Sequence, residues 1–284
     1  MEVPRGHDRK PLVALYELIG TALFVYMIVV STGDALAVPL ALFAMIVIFG
    51  GITGGHFNPA VTLGVYIHEG RFKENGLFAL LIVVSQLIGS LVGMAFASYS
   101  LSANISNEWQ VTSHRVPVLA PLDPKSEGDY DMSTDSDGFS EDWQTLFTQI
   151  TCTFIFVATI LMLKGQLTSP SKDGALQALT VAFTLGGLLQ VAAHHAASFN
   201  PAVSLSLTIF QVMSLENDGG HLTHYFYAYF IGPLLGGLLA GVFSRLNTDI
   251  LTKHKAQMDG LPAQADEDRA PLLGDQGAQP VPAI

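Results

Sequence analysis

Phe57-Asn58-Pro59-Ala60-Val61-Thr62-Leu63 and Phe199-Asn200-Pro201-Ala202-Val203-Ser204-Leu205 are two copies of one phrase, 142 positions apart. Each copy sits part-way along an apolar stretch, where a soluble protein seldom places Asn-Pro. Proline inside a helix loses a hydrogen bond, but it suits the first helical position. Asparagine is among the strongest N-caps. Each phrase therefore starts a new helix, one from Pro59 to about His68 and one from Pro201 to about Val212. Ten residues at 1.5 Å rise give roughly 15 Å, about half the hydrocarbon thickness of a bilayer.

The composition agrees with a membrane setting. Half of the 284 residues are hydrophobic and 13% are charged, against about 25% charged in ordinary soluble domains. Regions almost free of charge cover Leu12–Gly33 (Glu17 excepted), Ala35–His68, Asn75–Asn107, Trp143–Leu163, Gly174–Leu215 and Gly219–Ser244. The first, fourth and sixth fit one span each, and the third holds a span over Gly76–Tyr99. The second and fifth are too long for one span and too short for two, and each contains an Asn-Pro-Ala. A span followed by a re-entrant half-helix accounts for both. Non-helical backbone at that depth is tolerated only within protein or beside a water-filled cavity, so the pattern itself predicts a cavity.

The expected fold is an all-α membrane protein with six transmembrane helices and two half-helices in an inverted 3+3 repeat. Residues 12–100 form the first repeat, with the half-helix at 59–68, and 143–245 form the second, with the half-helix at 201–212. Residues 1–11 are an N-terminal segment. Arg5, Arg9 and Lys10 ahead of an apolar run could suggest a signal peptide, but the run is long, holds Glu17 and lacks a small-residue cleavage site. Three spans per half put both termini on one face. Of the basic residues, only Arg115 and Lys125 fall on the other face, so the termini are expected to be cytoplasmic.

The net charge of −11 is concentrated in the 101–142 segment and the 246–284 tail. The segment carries Asp123, Glu127, Asp129, Asp131, Asp135, Asp137, Glu141 and Asp142, and reads as a solvated, partly disordered external loop. Asn104-Ile105-Ser106 within it matches a glycosylation acceptor close to the membrane. The tail is likewise expected to be disordered. Its Asp268, Leu272 and Leu273 resemble an acidic dileucine sorting signal, which would bring a clathrin adaptor and an endosomal or vacuolar membrane as alternatives to the plasma membrane. No basic patch argues for nucleic acid. Cys152, the single cysteine, reads as a small buried hydrophobe. No metal cluster, cofactor motif or nucleophile–base set argues for an enzyme.

Two half-helices that enter from opposite sides bring their N-termini face to face. Each presents unpaired N–H groups and about half a positive charge, and Asn58 and Asn200 add amide donors. Such a site accepts lone pairs in single file, repels cations and interrupts a proton-conducting water chain. The expected activity is passive conduction of water or a similar small neutral solute.

Gly54-Gly55-His56-Phe57-Asn58-Pro59-Ala60-Val61-Thr62 together with Asn200-Pro201-Ala202 resembles the paired signature of the aquaporin, or major intrinsic protein, family. The resemblance covers residues 12–245, with Glu17-x-x-Gly20-Thr21, Gln86-x-x-Gly89 and Gly232-Pro233-x-x-Gly236-Gly237 in matching spans. It implies a homotetramer with one pore per subunit. It also implies that the Gly55 and His56 carbonyls line the pore and that Glu17 accepts hydrogen bonds from the re-entrant loop. Gln149 is the counterpart of Glu17 in the second half, an acceptor without charge.

The resemblance further implies an outer constriction, which counting from the motifs places at Val38, Leu188, Ala197 and Val203. Here the chain departs from the usual family pattern, in which Arg follows the second Asn-Pro-Ala, commonly with an aromatic and a His nearby. An all-aliphatic constriction removes a fixed charge and its donors, so urea, ammonia, hydrogen peroxide or small polyols such as glycerol join water as expected solutes. Against a dedicated glycerol channel, Ser204 stands where glycerol facilitators usually have Asp, and Tyr229-Phe230 resembles the water-type members. Ala196-Ala197-Ser198 replaces a stretch usually rich in Gly, where φ > 0 is costly. His194-His195 invite a pH-gate or metal reading, but adjacent residues do not share a helix face. A secondary transporter, or a non-conducting adhesion protein using the acidic loop, is the alternative function.

Overall fold

The computed structural model of the chain describes residues 9–105, 108–111, 119, 138–214 and 223–259. The first half comprises α1 (Lys10–Val30), α2 (Ala37–Thr53), α3 (Pro59–Glu69) and α4 (Phe72–Leu101). The second half comprises α5 (Gly138–Lys164), α6 (Gly174–Val191), α7 (Pro201–Ser214) and α8 (Phe226–Asp259). Five of these, α1, α4, α5 over Asp142–Lys164, α6 and α8, are long and apolar enough to cross a membrane. The 17-residue α2 is the short sixth span.

Local chemistry sets the starts. Pro11 lies in the first turn of α1, where its missing N–H costs nothing. Asp34, in the exposed turn before α2, accepts from the N–H groups of Ala37 at 2.7 Å and Leu36 at 3.0 Å. Those two bonds hold its carboxyl below the usual value. Asp173 caps α6 by accepting from Leu176 N at 2.9 Å. The half-helices begin at Pro59 and Pro201, each behind its capping asparagine.

The inverted repeat is visible in who packs on whom. Helix α1 lies along α4, and α5 lies along α8. Glycines bring these backbones together: a Cβ at Gly89 would sit 2.3 Å from the Leu18 carbonyl oxygen, and one at Gly236 would sit 2.5 Å from that of Ile150. Small residues of this kind let membrane helices pack by backbone contact. The half-helices then cross between halves, α3 against α8 and α7 against α4. This stitching buries Phe57 and Phe199 completely and places the two helix starts together in the core.

The structure differs from the sequence expectation in three places. The all-α class holds, but the segment expected to be a loop carries a short antiparallel pair, Ser102–Ile105 with Glu108–Val111, directly after α4. Helix α5 begins at Gly138, inside the segment expected to be a loop. The segment expected to be a disordered tail from residue 246 begins as helix, since α8 runs unbroken to Asp259 and buries Thr248 and Thr252. Arg245 marks the end of the hydrocarbon-compatible sequence, but the leucine, lysine and glutamine that follow are good helix formers and carry the helix on. Residues Asp123 to Asp137 of the acidic segment lie outside the described residues, as do Asp268, Leu272 and Leu273 of the tail.

Candidate functional site

Asn58 and Asn200 are built as mirror copies. The Oδ1 of each accepts from its own helix start, from Ala60 N at 2.8 Å and Ala202 N at 3.0 Å. The Nδ2 of each donates across to the opposite loop, Asn58 to the Phe199 carbonyl at 2.8 Å and Asn200 to the Phe57 carbonyl at 2.9 Å. To offer those carbonyls, Phe57 and Phe199 adopt left-handed backbone, with φ of 46° and 53°. An amide NH2 has two donors, so one N–H of each asparagine is left for the cavity that both residues line. Pro59, Ala60, Pro201 and Ala202 are buried behind them.

Buried polar groups hold each loop from behind. The Glu17 carboxylate accepts from His56 N at 3.0 Å, Phe57 N at 2.8 Å and Gln86 Nε2 at 2.8 Å. Three donors satisfy a fully buried carboxylate that would otherwise be costly at this depth. Thr62 continues the network, meeting Gln86 Nε2 at 2.9 Å and His56 Nδ1 at 3.2 Å. In the second half Gln149 Nε2 donates to the Ala196 carbonyl at 2.8 Å, and its Oε1 accepts weakly from Phe199 N at 3.3 Å. Glu17 therefore holds its loop by accepting from two backbone N–H groups, with a third bond from Gln86 on α4, whereas Gln149 holds its loop by donating as well as accepting.

A cavity of about 320 Å³ lies on the side of the asparagines facing the hairpin. Val38, Ala197 and Val203 are on its wall. Leu188 is not: it is buried off the wall, and Leu185 and Leu189 face the cavity in its place. Leu185 and Leu189 are four apart and share a helix face, and Leu188 points about 100° away from Leu189. Thr32, His56, Gln190 and Ser198 add the polar lining, with no Asp, Glu, Lys or Arg among the wall residues. The His56 Nε2 is buried without a partner. Leu119, from the segment between the halves, is buried and lines this cavity.

A second cavity, of about 470 Å³, lies on the side where α1 begins and α8 ends, and it is walled by Gly54, Gly55, Lys164 and Gln177 among others. Gly54 and Gly55 have φ of 86° and 68°. The counterpart of Gly54 in the second loop is Ala196, which is forced to φ 42°, so the alanine there carries strain that glycine would not.

Other singled-out residues form no site. His195 Nδ1 meets Thr145 Oγ1 at 3.3 Å, and its carbonyl accepts from the Tyr229 hydroxyl at 2.8 Å. Burial, and secondarily the neighbouring His194, hold the His195 imidazole below its usual pKa. No group of His, Cys, Asp or Glu that could hold a metal occurs among the described residues. Ser204 is buried, donating to the Tyr229 carbonyl at 2.7 Å and meeting Ser198 Oγ at 2.7 Å. Lys164, read from the sequence only as one of the basic residues on the terminal face, is a wall residue that sequence reasoning missed.

The family comparison covers both halves of this architecture, the model for "Major intrinsic protein" matching residues 13–243. The chain belongs to the major intrinsic protein family. It is 29% identical to a Lactiplantibacillus plantarum protein named "Glycerol uptake facilitator protein-like 6", over 82% of this chain and 96% of that one. It is 30% identical to a Toxoplasma gondii "Aquaglyceroporin", over 73% and 67% of the two chains. With the "Aquaporin-8" of Rattus norvegicus it shares 28% identity, over 81% and 79%. The solved aquaglyceroporin from Plasmodium falciparum has the same fold, with a TM-score of 0.66 at 16% identity, covering 86% of this chain and 98% of that one. Members of the major intrinsic protein family are passive membrane channels for water and small solutes, and this multi-pass chain is a channel rather than an enzyme.

Proposed function

We propose that the chain conducts water together with small neutral solutes such as urea, ammonia, hydrogen peroxide and glycerol, and that the Asn58–Asn200 pair excludes cations and protons. The observation that carries this reading is the outer cavity wall, which combines the two asparagines with Val38, Ala197 and Val203 and no charged side chain. A passing water or carbonyl oxygen accepts from the free amide N–H groups and meets no fixed cation in this outer wall. The wall therefore discriminates by width and by lone pairs more than by charge. The relatives' names include both glycerol and water channels, and an aliphatic constriction suits a solute range between them. The Gly55 and His56 carbonyls serve as acceptors in the passage. The functional unit is a homotetramer with a pore in each subunit, with both termini in the cytoplasm.

The reading is tested by measuring water, urea, ammonia, peroxide and glycerol permeabilities of proteoliposomes carrying the full chain, beside Val203→Arg. A guanidinium at position 203 enters the wall beside Ala197 and should cut urea and glycerol flux well below that of water. A solute panel unchanged by Val203→Arg would show that position 203 does not border the constriction.

A further inference from the structure

Lys164 closes α5, where a long basic side chain ordinarily reaches out to headgroups and water. Here it turns inward. Its Nζ donates to the Gly54 carbonyl oxygen at 2.5 Å, and the side chain is part of the inner cavity wall. Gly54 caps α2, so the ammonium also sits at the negative end of that helix dipole. A purely structural cap would explain this much.

Two further observations go past a cap. An ammonium has three donors, and among the described residues only the one on Gly54 has a protein partner. The other two are left for whatever occupies the cavity. Lys164 is also the one Lys, Arg, Asp or Glu on the wall of either cavity among the described residues. Glu17 offers it no partner from inside, because both carboxylate oxygens are engaged by His56 N, Phe57 N and Gln86 Nε2. The Lys164 ammonium stands in the cavity wall, and Glu17 lines neither cavity.

We propose that Lys164 is a specificity-determining residue, a fixed positive charge that rejects cations at the inner mouth of the pore. It stands on the opposite side of the asparagines from Val203, whose aliphatic side chain supplies no charge to the outer wall. A charge in a narrow, low-dielectric passage acts with little screening, while its spare N–H groups hydrogen-bond to water and other neutral acceptors. The inner mouth then adds a charge barrier to alkali and guanidinium ions on the side of the asparagines opposite an outer wall that carries no charged side chain. This inference rests on the channel reading above.

The test compares full-length Lys164→Met, Lys164→Gln and Lys164→Arg with the unaltered chain in proteoliposomes, reading guanidinium and water permeability on each preparation. The ratio of guanidinium to water permeability should rise at least tenfold in the Met and Gln variants and stay near the parental ratio in Arg. A parental ratio in either neutral variant that still conducts water overturns the proposal. Loss of water conduction in both neutral variants with Arg active also overturns it, in favour of a structural cap on α2. Water permeability of the unaltered chain no higher than that of empty vesicles would instead remove the channel reading itself.

Discussion

Asn58 and Asn200 each bond the loop that carries the other: Asn58 Nδ2 lies 2.8 Å from the Phe199 carbonyl oxygen and Asn200 Nδ2 lies 2.9 Å from that of Phe57. The two half-helix starts are therefore one unit, held by a reciprocal pair of bonds across the pseudo-symmetric centre. Asn58→Ala removes a helix cap, worth about 1 kcal/mol, and leaves a buried carbonyl without its donor, at about 1–3 kcal/mol. Thermal unfolding of the purified protein should show a loss of about 2–4 kcal/mol, with Asn200→Ala similar. The double variant should lose less than the sum, since the two changes share one network.

Glu17 and Gln149 occupy matching positions with different bonding, and their substitutions should differ accordingly. Glu17→Gln replaces one acceptor oxygen by a donor facing donors, against three charge-assisted bonds. A loss of about 2 kcal/mol or more is expected. Proton leak should not change in any Glu17→Gln protein that still conducts water, because the carboxylate faces the loop. A proton leak that falls in this variant would make Glu17 a relay.

Ala196 holds φ 42° where the first loop has Gly54 at 86°. Ala196→Gly should relieve this strain and raise stability by about 1 kcal/mol, read as an increased unfolding temperature. The Gln149 Nε2 bond to the Ala196 carbonyl does not depend on the side chain and should persist.

Leu119 reaches the outer cavity from the segment joining the halves and is 3% exposed. Leu119→Ala should widen the outer mouth. The ratio of glycerol to water permeability should rise, and an unchanged ratio would mean that the narrow point lies deeper, at Val203 and Ala197.

Much of this was legible from two prolines. Asn-Pro can begin a helix in the membrane and can hardly do anything else there, so the observed starts at Pro59 and Pro201 follow from local chemistry. What escaped depends on distant contacts. The left-handed backbone of Phe57 and Phe199 is held by distant partners, the opposite asparagine on each carbonyl and Glu17 or Gln149 on each N–H. The choice of Leu185 and Leu189 over Leu188 depends on the rotation of α6, which counting back from a motif through an irregular loop does not capture. Sequence places Lys164 on the face of the termini but does not give the direction of its side chain. Charge at Arg245 signals the end of a span but not the end of the helix, since α8 continues to Asp259.

The most direct test of the channel account is the osmotic water permeability of proteoliposomes containing the full chain, measured against empty vesicles over a range of temperatures. A facing pair of half-helices that conducts water predicts shrinkage faster than in empty vesicles, with a weaker temperature dependence than lipid permeation and no saturation. Shrinkage matching that of empty vesicles, from protein shown to be inserted and folded, would contradict it.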